Sequence, residues 1–294
     1  SQKLKGAIVD QFREELNDRP SVDTKNPDLS FLLRVEAKDR GQGWNATVLL
    51  DMCGEPLSNR GYRASGHRAP LRENLAAALV MTTDWDPDKD IFVDPMCGSG
   101  TLLMEAIMIK AKLPPSYLKV RKQIERNNIK QFALLNHHWF THDKELMKYF
   151  KDELSKVYNF TLEALNELHF NQFFGSDDSY KSLDIAKENF KNAYLDPELV
   201  TLERADACEV SPQQEAPGVV LCNPPYGERL GEEDELGDLY HDFGENLKSN
   251  FKGYRAYVFT SRPDLRKRIS LQTSERTKFY NGNIECRLLR YELR

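Results

Sequence analysis

Ile91-Phe92-Val93-Asp94-Pro95-Met96-Cys97-Gly98-Ser99-Gly100-Thr101 decides the fold of this chain. Three apolar residues read as a short buried strand that Pro95 stops. Two glycines then close a turn, and the apolar-rich run 101–111 continues as a helix. The same alternation spreads outward. Residues 71–82, 181–193 and 236–250 read as helices, and 170–175, 201–204, 219–222 and 254–260 as strands. Two closing strands follow near 277–279 and 285–292. Alternating strand and helix predicts an α/β fold, a mostly parallel sheet with helices on both faces. In such sheets ligands sit at the carboxyl ends of the strands, near the topological switch point.

The opening of the chain differs. Residues 1–19 read as an amphipathic helix with Leu4, Ala7, Ile8, Phe12 and Leu16 on one face. Residues 30–37 and 45–52 alternate like strands joined by a polar hairpin turn, with Phe31, Leu33 and Val35 facing one way. Such a unit is too small for a comfortable core alone. It reads as the tail of an α+β module.

Composition excludes several classes. At 40% hydrophobic residues the chain can fill a core, yet no apolar run approaches the ~18 residues of a membrane span. Ser1-Gln2-Lys3-Leu4-Lys5 is no secretory signal, and the missing Met reads as a trimmed or partial chain. Five scattered cysteines without a CxxC pair argue against a disulfide framework or structural zinc, and for a reducing cytoplasm. The net charge of −5 does not advertise nucleic-acid binding, but base concentrates at 119–130 and 262–268.

Four strand ends carry candidate chemistry. In the turn after 91–93, Gly98 and Gly100 let backbone approach a ligand, and the helix start offers free N–H groups. Asp94 is placed to meet a positive group such as an amino-acid ammonium. The plain alternative is a tight strand-to-helix turn. Asp177, with Asp178 as alternate, sits where an acid holds ribose hydroxyls in nucleotide-binding α/β folds. A helix N-cap at 177, 178 or 179 is nearly as good a reading. Asp206 could accept a hydrogen bond from an adenine amino group, although a loop Asp is usually a turn residue.

Asn223-Pro224-Pro225-Tyr226 is the sharpest signal. The exocyclic amine of a base is a poor nucleophile because its lone pair is delocalised into the ring. The Asn223 side-chain oxygen and the Pro224 carbonyl can accept its hydrogens and favour a more tetrahedral nitrogen. Tyr226 can stack on the base. His138 and His142 have the i, i+4 spacing of zinc ligands, but surface or packing roles fit better and no metal is expected.

The order of these motifs resembles the S-adenosylmethionine-dependent methyltransferases that act on base amino groups, over residues from about 66 to the end. Arg60-Gly61-Tyr62-Arg63, residues 69–79, Asp94–Thr101 with Leu102-Leu103-Met104-Glu105-Ala106, residues 223–230 and Tyr280-Asn281-Gly282 are similar to the bacterial 23S rRNA guanine-N2 methyltransferases of the RlmL type. The resemblance implies a Rossmann-like class I methyltransferase domain over 59–294. Residues 1–58 resemble the last part of a THUMP-like RNA-binding module. It implies that Asp94, Pro95, Gly98 and Gly100 cradle the methionine part of S-adenosyl-L-methionine. Asp177 would take the ribose and Asp206 the adenine, while Asn223, Pro224 and Tyr226 hold the target base. The partner would be RNA, 23S rRNA first, and the enzyme a cytoplasmic monomer active in rRNA processing. A tRNA guanine-N2 methyltransferase, an adenine-N6 DNA methyltransferase and a catalytically inactive RNA-binding protein are the other readings.

About seventy residues separate the first two motifs, far more than a simple α/β connection needs. A helical insertion over 113–168, lying over the active-site face, is therefore expected. Lys119, Arg121, Lys122, Arg126 and Lys130 on it suit RNA phosphates and solvent equally well.

Overall fold

The structure, a computed structural model, describes residues 2–294 apart from 26, 39–40, 42, 65–70, 127–129, 169–170, 213–216, 226–232 and the side chain of 233. It divides into two compact units, residues 1–56 with 119–158 and residues 57–118 with 159–294.

The first unit opens with helix α1 (Gln2–Leu16), followed by strands β1 (Phe31–Ala37) and β2 (Trp44–Leu50), which pair as an antiparallel ribbon with Phe31 opposite Leu50 and Ala37 opposite Trp44. The expected apolar stripe of α1 is not its buried face. Only Val9 is buried, while Phe12 is 44% and Leu16 65% exposed. Phe31 and Val35 are exposed as well. The periodicity identified the elements correctly, but the described residues supply little to bury them against.

In the second unit, α2 (Glu73–Thr82) precedes strand β3 (Ile91–Asp94) and helix α3 (Thr101–Lys110). The intervening helical stretch comprises α4 (Tyr117–Glu125), a 3-10 turn at Ala133–Asn136, α5 (His138–Thr141) and α6 (Lys144–Asn166). Residues 119–158 of it belong to the first unit. Then come β4 (Phe173–Asp177), α7 (Tyr180–Asn192), β5 (Val200–Arg204), β6 (Gly218–Cys222), α8 (Glu233–Asn250), β7 (Arg255–Thr260), α9 (Pro263–Arg268), β8 (Thr273–Asn281) and β9 (Ile284–Glu292).

The seven strands form one sheet in the order β5-β4-β3-β6-β7-β9-β8. All neighbours are parallel except β9, which runs against both β7 and β8. The period-2 alternation of strands sorts the core into two layers. Phe92, Val219, Leu221, Tyr257 and Phe259 meet α2, α3 and α7 on one face. Ile91, Val93, Val220, Cys222, Ala256 and Val258 meet α8 and α9 on the other. Burying each such side chain contributes roughly 1.5–3 kcal/mol, which is why β3 and β6 are near-continuous apolar runs. The chain order reverses between β3 and β6, so the switch point falls at their carboxyl ends.

Candidate active site

Sheet order, which no single motif could reveal, brings the four strand ends together. Asp94 is level with Gly175, and Asp177 is level with Arg204, two residues before Asp206. Val93 pairs with Val220, three residues before Asn223. Asp206, Asp177, Asp94 and Asn223 therefore end β5, β4, β3 and β6 in spatial order, along a front of about 15 Å at ~4.8 Å per strand.

The turn after β3 is held from several sides. Gly98 and Gly100 take φ of +53° and +77°, a region that L side chains enter only with strain. A Cβ on Gly100 would lie 3.2 Å from the Ala186 Cβ and 3.3 Å from the Phe190 ring of α7, whereas one on Gly98 would meet nothing within 4 Å. Gly100 is thus tightly packed against α7, and Gly98 leaves open space in front of the turn. The Gly98 N–H donates to Asp177 Oδ2 at 2.8 Å, and Cys97 N–H to the Ser176 carbonyl at 2.9 Å.

Asp94 is 1% exposed and accepts one hydrogen bond, from Met96 N–H at 3.3 Å. Burial lifts its carboxyl well above the usual range; the Met96 N–H opposes this and the charge of Asp177 adds to it. Among the described residues no cation pairs with it. A buried carboxyl without a cation can take an ammonium as its counter-ion.

Asp177 is free of the N-cap role that competed for it. Ser179 caps α7, its hydroxyl accepting from Ser182 N–H at 3.3 Å. The Asp177 carboxylate instead takes Gly98 N–H on one oxygen and Ser179 N–H at 3.1 Å on the other. Each oxygen keeps a lone pair for a hydroxyl donor. Asp206 accepts Cys208 N–H at 2.8 Å in a turn that Asn246 of α8 clamps, donating 2.8 Å bonds to the carbonyls of Ala207 and Val210.

Pro225 accepts from the Tyr240 hydroxyl at 3.4 Å, and Tyr240 is 3.3 Å from Thr260 Oγ1 at the end of β7. Tyr226 lies outside the described residues. Asn189, Asn246, Tyr240 and Thr260 escaped sequence reasoning. The available signal was a polar residue on a helix face or strand otherwise made of core.

One expectation changes in the first unit. Lys119 is 8% exposed and its ammonium donates to the Glu55 carbonyl at 3.2 Å, while Arg121 pairs with Glu125 at 2.8 Å. These two side chains are engaged in the unit's own packing rather than offered to phosphates. His138 pairs with Asp28 at 3.4 Å and stacks on His142, and among the described residues no cluster of His, Cys, Asp or Glu could hold a metal.

The architecture is that of a Rossmann-like methyltransferase. Over 99% of this chain it is similar to a solved "possible methylase" from Clostridium difficile 630 (TM-score 0.76, 28% identity, 68% of that chain). It is also similar to SMU.472, solved with SAH (TM-score 0.72, 28%, 69% of that chain), and to a "predicted N6-adenine-specific DNA methylase" from Listeria monocytogenes (TM-score 0.74, 28%, 67%). Residues 60–290 match the family described as RMKL-like, methyltransferase domain, and the chain belongs to it; residues 1–39 match the THUMP domain. Proteins named ribosomal RNA large subunit methyltransferase K/L, from Syntrophotalea carbinolica and Colwellia psychrerythraea, are 39% and 36% identical over 99% of the chain. The chain spans 38% of their length. No helix among the described residues is long and apolar enough to cross a membrane.

Proposed function

We propose that this chain transfers a methyl group from S-adenosyl-L-methionine to the exocyclic N2 amine of a guanine in 23S rRNA. The observation that carries the reading is the alignment of Asp206, Asp177, Asp94 and Asn223 along adjacent strand ends, two of them flanking the switch point. The similarity to proteins named for large-subunit rRNA methylation supports the substrate class.

The residues divide the work. Asp94 faces the ammonium of the methionine part, with Pro95, Gly98 and Gly100 shaping the backbone around it. Asp177 takes ribose hydroxyls and Asp206 the adenine amine. When bound, the cofactor supplies an electrophilic methyl group. Asn223 Oδ1 and the Pro224 carbonyl accept the hydrogens of the target amine, which frees its lone pair for attack. Pro225 lacks an N–H and cannot compete for those acceptors. Tyr226 stacks on a base flipped out of its helix. No strong base is required, because the methylated amine is cationic and sheds its proton afterwards. The rate comes from alignment and polarisation.

The test is incubation with methyl-labelled cofactor and, separately, unmodified 23S rRNA, tRNA and DNA, followed by nucleoside analysis. N2-methylguanosine from 23S rRNA alone is expected, and N6-methyladenine overturns the reading. Asn223→Ala is expected to lose turnover on the order of a hundredfold, as when one polar group is removed from a preorganised site, while calorimetry shows unchanged SAH affinity. Collapse of SAH affinity would overturn this division of labour.

A further inference from the structure

The β8–β9 ribbon overhangs the sheet on the side of the site. β7 ends at Thr260, which is level with Arg287, whereas β8 and β9 stay paired to Asn281 opposite Ile284. Three residue pairs therefore project past β7, about 10 Å at ~3.4 Å per residue. The closing turn has Gly282 at φ +64° in its first central position, the requirement of a tight type II′ hairpin. β9 lies two strands from β6, so the overhang stands about 10 Å to one side of the strand that ends in Asn223.

Its two faces differ. Phe279, Cys286 and Leu288 share one face and pack into the core. The opposite face carries Arg276, Lys278 and Tyr280 from β8 beside Leu289, Arg287 and Glu285 from β9. Leu289 is buried, but the other five are exposed. Tyr280 is 57% exposed, with the Lys278 ammonium 5.0 Å from its ring centroid. Glu285 holds Lys278 at 2.6 Å and Arg287 at 2.8 Å. Three cations against one carboxylate leave the face positive, and the shared carboxylate fixes two of them beside the ring.

We propose that this face docks single-stranded RNA flanking the target base, with Tyr280 stacked on a neighbouring base and Lys278, Arg287 and Arg276 meeting phosphates. An exposed ring contributes nothing to the core, yet every base offers it a π-face, and flanking cations answer the backbone charge. The proposal rests on the RNA reading above.

Binding of the full chain to labelled unmodified 23S rRNA transcript and to a mixed-sequence single-stranded RNA tests it, with SAH affinity by calorimetry as the control. Tyr280→Ala is expected to weaken both RNAs roughly tenfold, and Tyr280→Phe to restore them. The pair Lys278→Gln and Arg287→Gln should lower the slope of log affinity on log salt by about 1.4, two phosphates at ~0.7 each. SAH affinity stays at the wild-type value throughout. If Tyr280→Ala binds RNA like wild type, the docking surface is wrong and the RNA reading stands. If wild type binds SAH but neither RNA, the RNA reading falls and the docking surface with it.

Discussion

Asp94 shows how a single buried charge ties ligand binding to stability. Desolvation lifts its carboxyl well above the usual range. A carboxyl raised in the folded state binds its proton more tightly there than in the unfolded chain. Its contribution is complete below the ordinary carboxylate range and is lost as pH rises through the lifted value. Cofactor-free protein should therefore lose stability with rising pH across that window, and an ammonium beside the carboxylate should offset the loss. Asp94→Asn is expected to raise the neutral-pH melting temperature of the cofactor-free protein, to flatten that pH dependence and to weaken SAH binding at least tenfold. Equal SAH affinity in calorimetry would place the ammonium elsewhere. Tyr240 is the second informative residue. Arg262 N–H donates to Thr260 Oγ1 at 3.1 Å, which leaves the threonine hydrogen for Tyr240 and the tyrosine hydrogen for the Pro225 carbonyl. Burial keeps the phenol protonated. The chain of donors points one way and ends on the turn presenting Asn223. Tyr240→Phe keeps the ring and removes the last link. A fivefold or so drop in kcat is expected, one net hydrogen bond, with SAH affinity unchanged. An unaltered kcat would show that the turn holds itself.

Elements meet at Asn189, which is 1% exposed on α7. Its amide oxygen accepts Ala64 N–H at 2.8 Å and its nitrogen donates to the Ser99 carbonyl at 3.0 Å. One side chain thus fixes the glycine turn to α7 and to the segment before α2. That segment is anchored again where Arg60 and Tyr62 reach Glu105 of α3, at 3.1 and 3.3 Å. Asn189→Ala strands one buried and one half-buried backbone group. It should weaken SAH binding roughly tenfold, because the turn loses its anchor. A lower melting temperature with unchanged SAH affinity would reduce Asn189 to a packing role. This tier is also where sequence reading ran out. The strands β3 and β6 were legible because apolar runs ending in Asp-Pro or Asn-Pro mark their own boundaries. Asp94, Asp177, Asp206 and Asn223 were legible as strand ends, but the order that lines them up is a property of the sheet. Helix α9 shows in the sequence only as a basic stretch, since six residues carry too little periodicity. Asn189 and Asn246 do not stand out in the sequence, because their partners lie on other elements.

Across the whole molecule, burial is uneven between the units. The sheet of the second unit has two apolar layers, whereas the β1–β2 ribbon has nearly none. Directly paired residues share a face, so Phe31, Leu33, Val35 and Ala37 lie with Leu50, Val48, Ala46 and Trp44 on a face that is apolar throughout. Yet Trp44 is 69% and Val35 51% exposed. An isolated two-stranded ribbon is marginal in water, and its opening does not require the rest of the fold to open. Native-state hydrogen exchange should separate the two sheets. The amides that pair β1 with β2 are expected to exchange at least about a hundredfold faster than those of Ile91–Asp94 and Gly218–Cys222, whose opening approaches global unfolding. SAH should slow exchange in the glycine turn and at the ends of β3, β4 and β6 while leaving residues 31–50 unchanged, since the ligand stabilises only states in which its site is formed. Equal protection in both sheets would show that the ribbon shares the cooperative core despite its exposure. Protection of residues 31–50 by SAH would show that the two units open together.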